Sequence, residues 1–239
     1  MKKYYKIAGL TVTMDSFGKT EEQAKAYLCQ ECPKVDIEVV SPWKEIKADY
    51  PQFSDDIGEY LATGSYFYKN LLNFDGFMLH SSAVVVDGKA YLFTADCGTG
   101  KSTHTKLWLQ LFGDKAFVLN DDKPALRLEE DGWYAYGTPW SGKHDISVDK
   151  RIPLAGIAIV ERAAENKIVP LSSAEGIPQI MKQVNRPKAM EYRIKLLELL
   201  DKLLNQIPVW RLQCNMEIDA AIVSYEAMSG QEWEKKNEA

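Results

Sequence analysis

The stretch "YLFTADCGTGKSTHTKLWLQLFG", residues 91–113, constrains the fold more than any other part of the chain. An apolar, β-prone run ends in two closely spaced glycines, and a helix-compatible segment starts directly behind them. Strand, glycine turn and helix in immediate succession leave the first amides of the helix pointing into the turn. That arrangement suits an anion, a phosphate above all. The Walker A pattern is G-x-x-x-x-G-K-[ST], and here it reads A-D-C-G-T-G-K-S. Ala95 replaces the first glycine, while Gly98, Gly100, Lys101 and Ser102 are in place. The first position mainly requires a tight strand exit, which a small alanine meets. The backbone from Gly98 through Thr99 and Gly100 to Ser102 is expected to wrap the phosphates of ATP. Lys101 then reaches the β- and γ-phosphates, Ser102 holds Mg²⁺, and Thr103 adds a hydroxyl.

The rest of the chain reads as α/β. Residues 77–95 are two apolar runs joined by Asp87-Gly88, a strong hairpin signal, and the second run feeds the glycine loop. Three short strands are expected over residues 116–137, with a second hairpin at Asp131-Gly132. "IPLAGIAIVER" reads as a buried strand, residues 178–207 as mostly helical with an interruption near Pro187, "PVWRLQC" as a short strand, and "EIDAAIVSYEAMSG" as a closing helix. Residues 1–75 read as a small α/β unit of their own. Within it Thr20 is expected to cap a first helix, and Ser54 a second that Gly64 breaks. The expected division is thus 1–75, a core at 76–230, and a polar tail at 231–239.

Composition narrows the function. Hydrophobic residues make up 46%, enough for a sizeable core, and the net charge of −5 argues against a general nucleic-acid partner. No apolar run reaches the roughly 18–20 residues of a membrane span, and the N-terminus reads as folded chain and not as a signal peptide. Four cysteines make no disulfide framework, so a cytoplasmic protein is expected. The single C-x-x-C, Cys29 and Cys32, lacks the further ligands zinc requires, since His80, His104 and His144 are scattered.

Two acids decide what the phosphate is for. Asp121 and Asp122 follow the next expected strand, "AFVLN". At a strand end behind a phosphate loop, one acid is placed to hold the metal and the other to take a proton from an attacking hydroxyl; the sequence does not say which does which. His80 opens the hairpin that leads into the loop and is expected near the acids. "GTPWSGK", residues 137–143, reads as a second anion-binding turn with Lys143 as the contact, or as an ordinary exposed loop anchored by Trp140. Arg186 and Arg193 are further anion candidates, or surface-helix arginines.

In order and spacing, His80, the Asp87-Gly88 hairpin, "ADCGTGKS" and Asp121-Asp122 resemble the HPr kinase/phosphorylase group. That group shares its nucleotide-binding fold with phosphoenolpyruvate carboxykinase. The likeness covers about residues 76–165. It implies a P-loop core with a mixed sheet, joined by the small N-terminal unit and C-terminal helices. It also implies a catalytic centre of His80, Lys101, Asp121 and Asp122, with one aspartate as general base, and an ATP- and Mg²⁺-dependent kinase. The acceptor is expected to be a peptide serine or a small-molecule hydroxyl. Cys97 in place of the group's serine, Ala95, and an N-terminal region unlike that of HPr kinases all argue against HPr itself as the acceptor. HPr kinases assemble as hexamers, so a homo-oligomer is admitted, although the sequence shows no such interface. The alternatives are a nucleotide-binding regulatory protein with little catalysis, and carboxykinase-like phosphoryl transfer.

Overall fold

The computed structural model describes residues 2–30 and 34–233. In chain order the strands and helices are β1 (Lys3–Ile7), β2 (Leu10–Met14), α1 (Gly18–Gln23), β3 (Ile37–Val39), α2 (Trp43–Ile46), α3 (Asp55–Leu71), β4 (Gly76–Met78), β5 (Ser81–Val86), β6 (Lys89–Thr94), α4 (Lys101–Phe112), β7 (Ala116–Asn120), β8 (Ala125–Glu129), β9 (Gly132–Tyr136), β10 (Arg151–Arg162), β11 (Lys167–Pro170), α5 (Ser173–Ile180), α6 (Met190–Gln206), β12 (Val209–Cys214) and α7 (Ile218–Ser229). None of these helices is long and apolar enough to cross a membrane.

The protein is mixed α/β. A small sheet ordered β1-β2-β3 carries the N-terminal region. A larger mixed sheet runs β4-β8-β9-β10-β6-β5-β7, with β12 beside β10 and β11 beside β12. The long strand β10 organises it. Its first residues pair antiparallel with β9, and its later ones pair parallel with both β6 and β12. Both expected hairpins form, β5–β6 around Asp87-Gly88 and β8–β9 around Asp131-Gly132.

The period-2 alternation of strand side chains explains why the central strands read as continuous apolar runs. On β5, Ala83 and Val85 face one core while Val84 and Val86 face another, and β6 divides Ala90 and Leu92 from Tyr91 and Phe93 in the same way. The first core is closed by Leu196, Leu199, Leu200 and Leu203 of α6, the second by Trp108 of α4 with Ala221 and Tyr225 of α7. A third core joins the N-terminal sheet and α3 to Ala125, Tyr134, Tyr136 and Trp140.

Two local expectations need correction. Gly64 does not break its helix, since α3 runs unbroken from Asp55 to Leu71, with Ser54 as its cap. The glycine is there for close packing: a Cβ would lie 2.8 Å from Cδ1 of Trp140, whose ring is fully buried. Thr20 is no cap either, because α1 begins at Gly18 behind Phe17. Thr20 is buried inside it, 3.5 Å from the hydroxyl of Thr63. Cys29 is half-buried behind a short helical turn, and Cys32 lies outside the described residues.

His104, on α4, locks that helix to α7. The Ser224 hydroxyl donates to the Ala221 carbonyl at 3.0 Å, so it accepts from Trp108 Nε1 and from His104 Nε2, each at 2.9 Å. The proton therefore sits on Nε2, and Nδ1 faces the Cys214 thiol at 3.8 Å. Burial holds this imidazole neutral and pushes its pKa down to about 4. Between that value and the unfolded value of about 6.5, the unfolded chain binds more protons than the folded one. Stability is therefore full above that window and is lost as the pH falls through it. Urea unfolding should lose about 2 kcal/mol between pH 7 and pH 5, and His104→Gln should remove most of that dependence.

Candidate active site

Strand β6 delivers the glycine loop to the sheet edge where β7 and β10 also end and β5 begins. Ser81 lies opposite Thr94, Ala83 opposite Asn120, and Ile159 opposite Thr94. The carboxyl ends of neighbouring strands in an open α/β sheet form a crevice suited to ligands. His80, the loop, Asp121 and Asp122 all come to this one edge.

In the loop, Gly98 and Gly100 have φ of +77° and +131°, and a Cβ on either would meet nothing within 4 Å. These glycines serve backbone conformation and an open approach, not packing. Helix α4 begins at Lys101 with Gly100 in the cap position and no side-chain cap, so its first-turn amides have no intrahelical acceptor. Lys101 is buried, and its ammonium bonds the carbonyl of Ala95 at 3.0 Å. The residue in the missing-glycine position thus anchors the loop lysine through its backbone. Burial pushes the Lys101 ammonium below the usual lysine range, against the pull of Asp122, Asp121 and Asp96. Arg162, at the end of β10, clasps the loop by donating Nε to the Thr99 carbonyl at 3.0 Å and an Nη to the Gly98 carbonyl.

The acids occupy different surroundings. Asp121 accepts from Ser82 through Oδ1 at 2.6 Å, Ser82 accepts from Thr105 at 2.8 Å, and Thr105 also reaches the Lys101 carbonyl at 3.2 Å. Asp121 is thereby tied to the loop helix. Asp122 has other partners, with His80 Nε2 3.3 Å from Oδ1 and Lys123 on Oδ2. Burial raises its pKa, but the His80 hydrogen bond and Lys123 more than offset this and bring it down to about 2. Gln183 bonds His80 Nδ1 at 3.2 Å through its oxygen and Asp96 at 2.8 Å through its nitrogen. One amide thus links the histidine to the glycine loop.

Asn120 sets the pair of acids. Its Oδ1 accepts from the amides of Asp122 and Lys123 at 3.0 and 2.7 Å, and its Nδ2 donates to the Thr138 carbonyl at 3.1 Å and to Ser147 at 3.2 Å. The "GTPWSGK" loop packs on this turn. A Cβ at Gly142 would lie 2.7 Å from Cβ of Asp122, and one at Gly137 only 1.9 Å from the Val148 carbonyl oxygen. Both glycines are therefore explained by close approach. Lys143 is exposed one residue beyond the contact with Asp122.

Two cavities flank the centre. One, of about 400 Å³, is lined by Gly98, Thr99, Gly100, Thr103, Arg162 and Met216 among others, with Val160 and Cys214 on its apolar side. The other, of about 140 Å³, lies between Tyr60, Tyr68, Met78, Lys123, Trp140 and Asn185. Sequence reading missed Asn120, Arg162, Gln183 and Ser82. A polar residue directly before the Asp-Asp pair and a cation directly after a buried strand were the available signals for the first two; Gln183 had none.

Hard oxygen donors, the Ser102 hydroxyl with the carboxylates of Asp121 and Asp122, suit Mg²⁺. The uncapped α4 terminus and the open glycine backbone suit phosphate oxygens. The donor chemistry is thus compatible with both groups, although no cluster of three or more His, Cys, Asp or Glu forms among the described residues.

A family model described as SynChlorMet cassette protein ScmC matches residues 59–219, about two thirds of the chain. No curated protein matches. Among solved structures, the chain is similar to the Hpr(Ser) kinase/phosphatase from Coxiella burnetii at 11% identity and a TM-score of 0.37, over 64% of this chain and 95% of that one. Superposition of that degree fixes neither the fold nor the chemistry of this protein.

Asn120→Ala should cost about 2–4 kcal/mol in chemical unfolding, because buried amides and carbonyls lose their partner. Gly142→Ala should push on Asp122 and strain a backbone at φ +80°, read as a lowered melting temperature at near-normal secondary structure by circular dichroism.

Proposed function

The chain belongs to the SynChlorMet cassette protein ScmC family, and we propose that it is an ATP- and Mg²⁺-dependent phosphotransferase acting on a hydroxyl. One observation carries the reading: Lys101, Asp121, Asp122 and His80 meet at the strand ends where the uncapped α4 terminus opens. An anion-holding loop alone would serve a sensor. A buried lysine together with two acids in different environments serves transfer.

The roles follow from the surroundings. Phosphoryl transfer places little covalent work on the protein, so positioning and charge stabilisation dominate. The α4 amides and Lys101 hold the β- and γ-phosphates, with Lys101 released from the Ala95 carbonyl to do so. Thr103, Val160, Cys214 and Met216 line the space for the nucleoside. Asp121 is tied through Ser82 to the loop helix that carries Ser102, and in this reading the two would hold the metal. Mg²⁺ bound there would neutralise charge on the phosphates.

Asp122 takes the acceptor side, beside Lys123 and the aromatic cavity. With a pKa of about 2 it is a weak base and remains ionised at any working pH. It therefore orients the acceptor hydroxyl and takes its proton late, as a loose transition state allows. His80 holds that carboxylate in place. The arrangement is HPr kinase-like. The acceptor class is a peptide serine or a small hydroxyl compound.

A mass-spectrometric screen of peptides and hydroxyl metabolites with ATP and Mg²⁺ tests this. Wild type should phosphorylate at least one acceptor, and Lys101→Ala and Asp122→Asn should each lower turnover about 100-fold or more. Asp121→Asn should raise the Mg²⁺ concentration needed for half-maximal rate. ATP binding with no transfer, equal in wild type and Asp122→Asn, would show a nucleotide sensor instead.

A further inference from the structure

The segment joining α5 to α6 touches the candidate centre and, further along, lines a separate groove against α6. Gln183 holds His80 and Asp96, and Val184 bridges to Leu79, next to His80. Asn185 lines the small aromatic cavity beside Lys123, while its neighbour Arg186 lines a different cavity of about 420 Å³ with Met181, Pro187, Arg193, Leu196 and Leu197. Consecutive residues of this segment thus line both spaces, Asn185 the aromatic cavity and Arg186 the groove.

The groove has an apolar floor and a basic rim. Pro187 and Leu196 are buried beneath it. Met190, Ile194 and Leu197 on α6 are 66%, 49% and 51% exposed. At helical spacing they form one apolar stripe on a face that solvent would normally occupy with polar residues; Leu197 lines the groove itself, and Met190 and Ile194 extend the stripe beyond its lining. Residues 181–195 carry Lys182, Arg186, Lys188, Arg193 and Lys195 against the lone acid Glu191; of these Arg186 and Arg193 line the groove, whereas Lys195 turns to Asn73. The whole chain has a net charge of −5, so this concentration of positive charge is local and runs against the composition. Arg193 is held by its Nε on the Pro187 carbonyl at 2.9 Å, which positions its guanidinium at the rim.

Resting on the phosphotransfer reading above, we propose that this groove docks the acceptor as an acidic peptide segment with apolar anchors. Its serine or threonine would enter beside Asp122. Apolar side chains cover the Ile194–Leu197 stripe, acidic side chains meet Arg186 and Arg193, and the chain passes Asn185 to reach the aromatic cavity. Charge complementarity selects an acidic occupant. The arginines line a recessed space with Met181, Pro187 and Leu197, which suits a peptide segment laid into it better than the plane of a bilayer.

The test uses the whole protein and synthetic serine peptides of one apolar spacing, flanked by Asp/Glu, by Ser/Gly or by Lys/Arg. Phosphorylation with ATP and Mg²⁺ is measured, and so is the binding of fluorescein-labelled peptides by anisotropy without nucleotide. Acidic peptides should bind and react best. The charge-swapped double variant Arg186→Glu/Arg193→Glu should lower the acidic-over-basic preference at least about tenfold, at an unchanged melting curve. Ile194→Ser/Leu197→Ser should weaken binding of all three peptide sets.

Transfer to serine peptides that ignores flanking charge, in wild type and swap variant alike, would sink the groove and leave the phosphotransfer reading standing. Charge-swap-sensitive binding of acidic peptides without transfer would keep the groove and sink that reading. Two further results would overturn the peptide assignment. One is flotation of wild type, but not of the swap variant, with phosphatidylglycerol vesicles in the absence of any peptide preference. The other is a dimer in sedimentation that Ile194→Glu converts to monomer.

Discussion

A single buried amide side chain holds the candidate centre together. Asn120 is fully buried at the end of β7 and works in both directions at once, accepting from the amides of Asp122 and Lys123 and donating to Thr138 and Ser147. The chain must turn sharply where β7 leaves the sheet, and a turn in a buried place leaves backbone groups that need partners. The asparagine supplies them. The two carboxylates leave that turn to different partners, Asp121 to Ser82 and Asp122 to His80 and Lys123. Tyr68 adds to the clamp by bonding the Lys123 carbonyl at 2.5 Å and Thr138 at 2.9 Å.

The N-terminal region gains a structural role from the same geometry. It packs on the back of the "GTPWSGK" loop and holds it against the acids. Gln23 bonds the Gly142 carbonyl at 3.2 Å, the Gly142 amide donates to the Tyr60 hydroxyl at 2.9 Å, and Tyr27 meets Ser147 at 2.7 Å. Trp140 is stacked on Phe67 with ring centroids 4.9 Å apart and sits over Gly64. The segment that reads as a small unit in sequence thus shares one core with β8, β9 and the loop. Burial of aromatic surface on α3 stabilises the loop that touches Asp122.

Much of this was legible in the order of residues. The strand, glycine loop and helix, both Asp-Gly hairpins, the buried β10 and the break near Pro187 appear where local chemistry puts them, because each rests on neighbours in the chain. His80 and the acids were placed near the loop by the short connections of the hairpin and of α4. Gly64 was misread because a glycine that relieves a helix and one that admits an indole ring look alike in sequence. Thr20 was misread because a threonine ahead of glutamates resembles a cap, whereas its burial against Thr63 decides its place.

Sequence alone determined the local devices: which residues turn, which alternate between two faces, and where a helix begins with bare amides. Those follow from backbone sterics and from a period of two or 3.6, which act over a few residues. Tertiary structure alone decided that Gln183 bridges His80 and Asp96, that Arg162 clasps the glycine loop, and that Asp121 and Asp122 face different surroundings. These contacts join residues 39 to 103 positions apart. Their partners are chosen by the way β10 carries the chain through the sheet and by the burial of Asn120, and no local pattern encodes either.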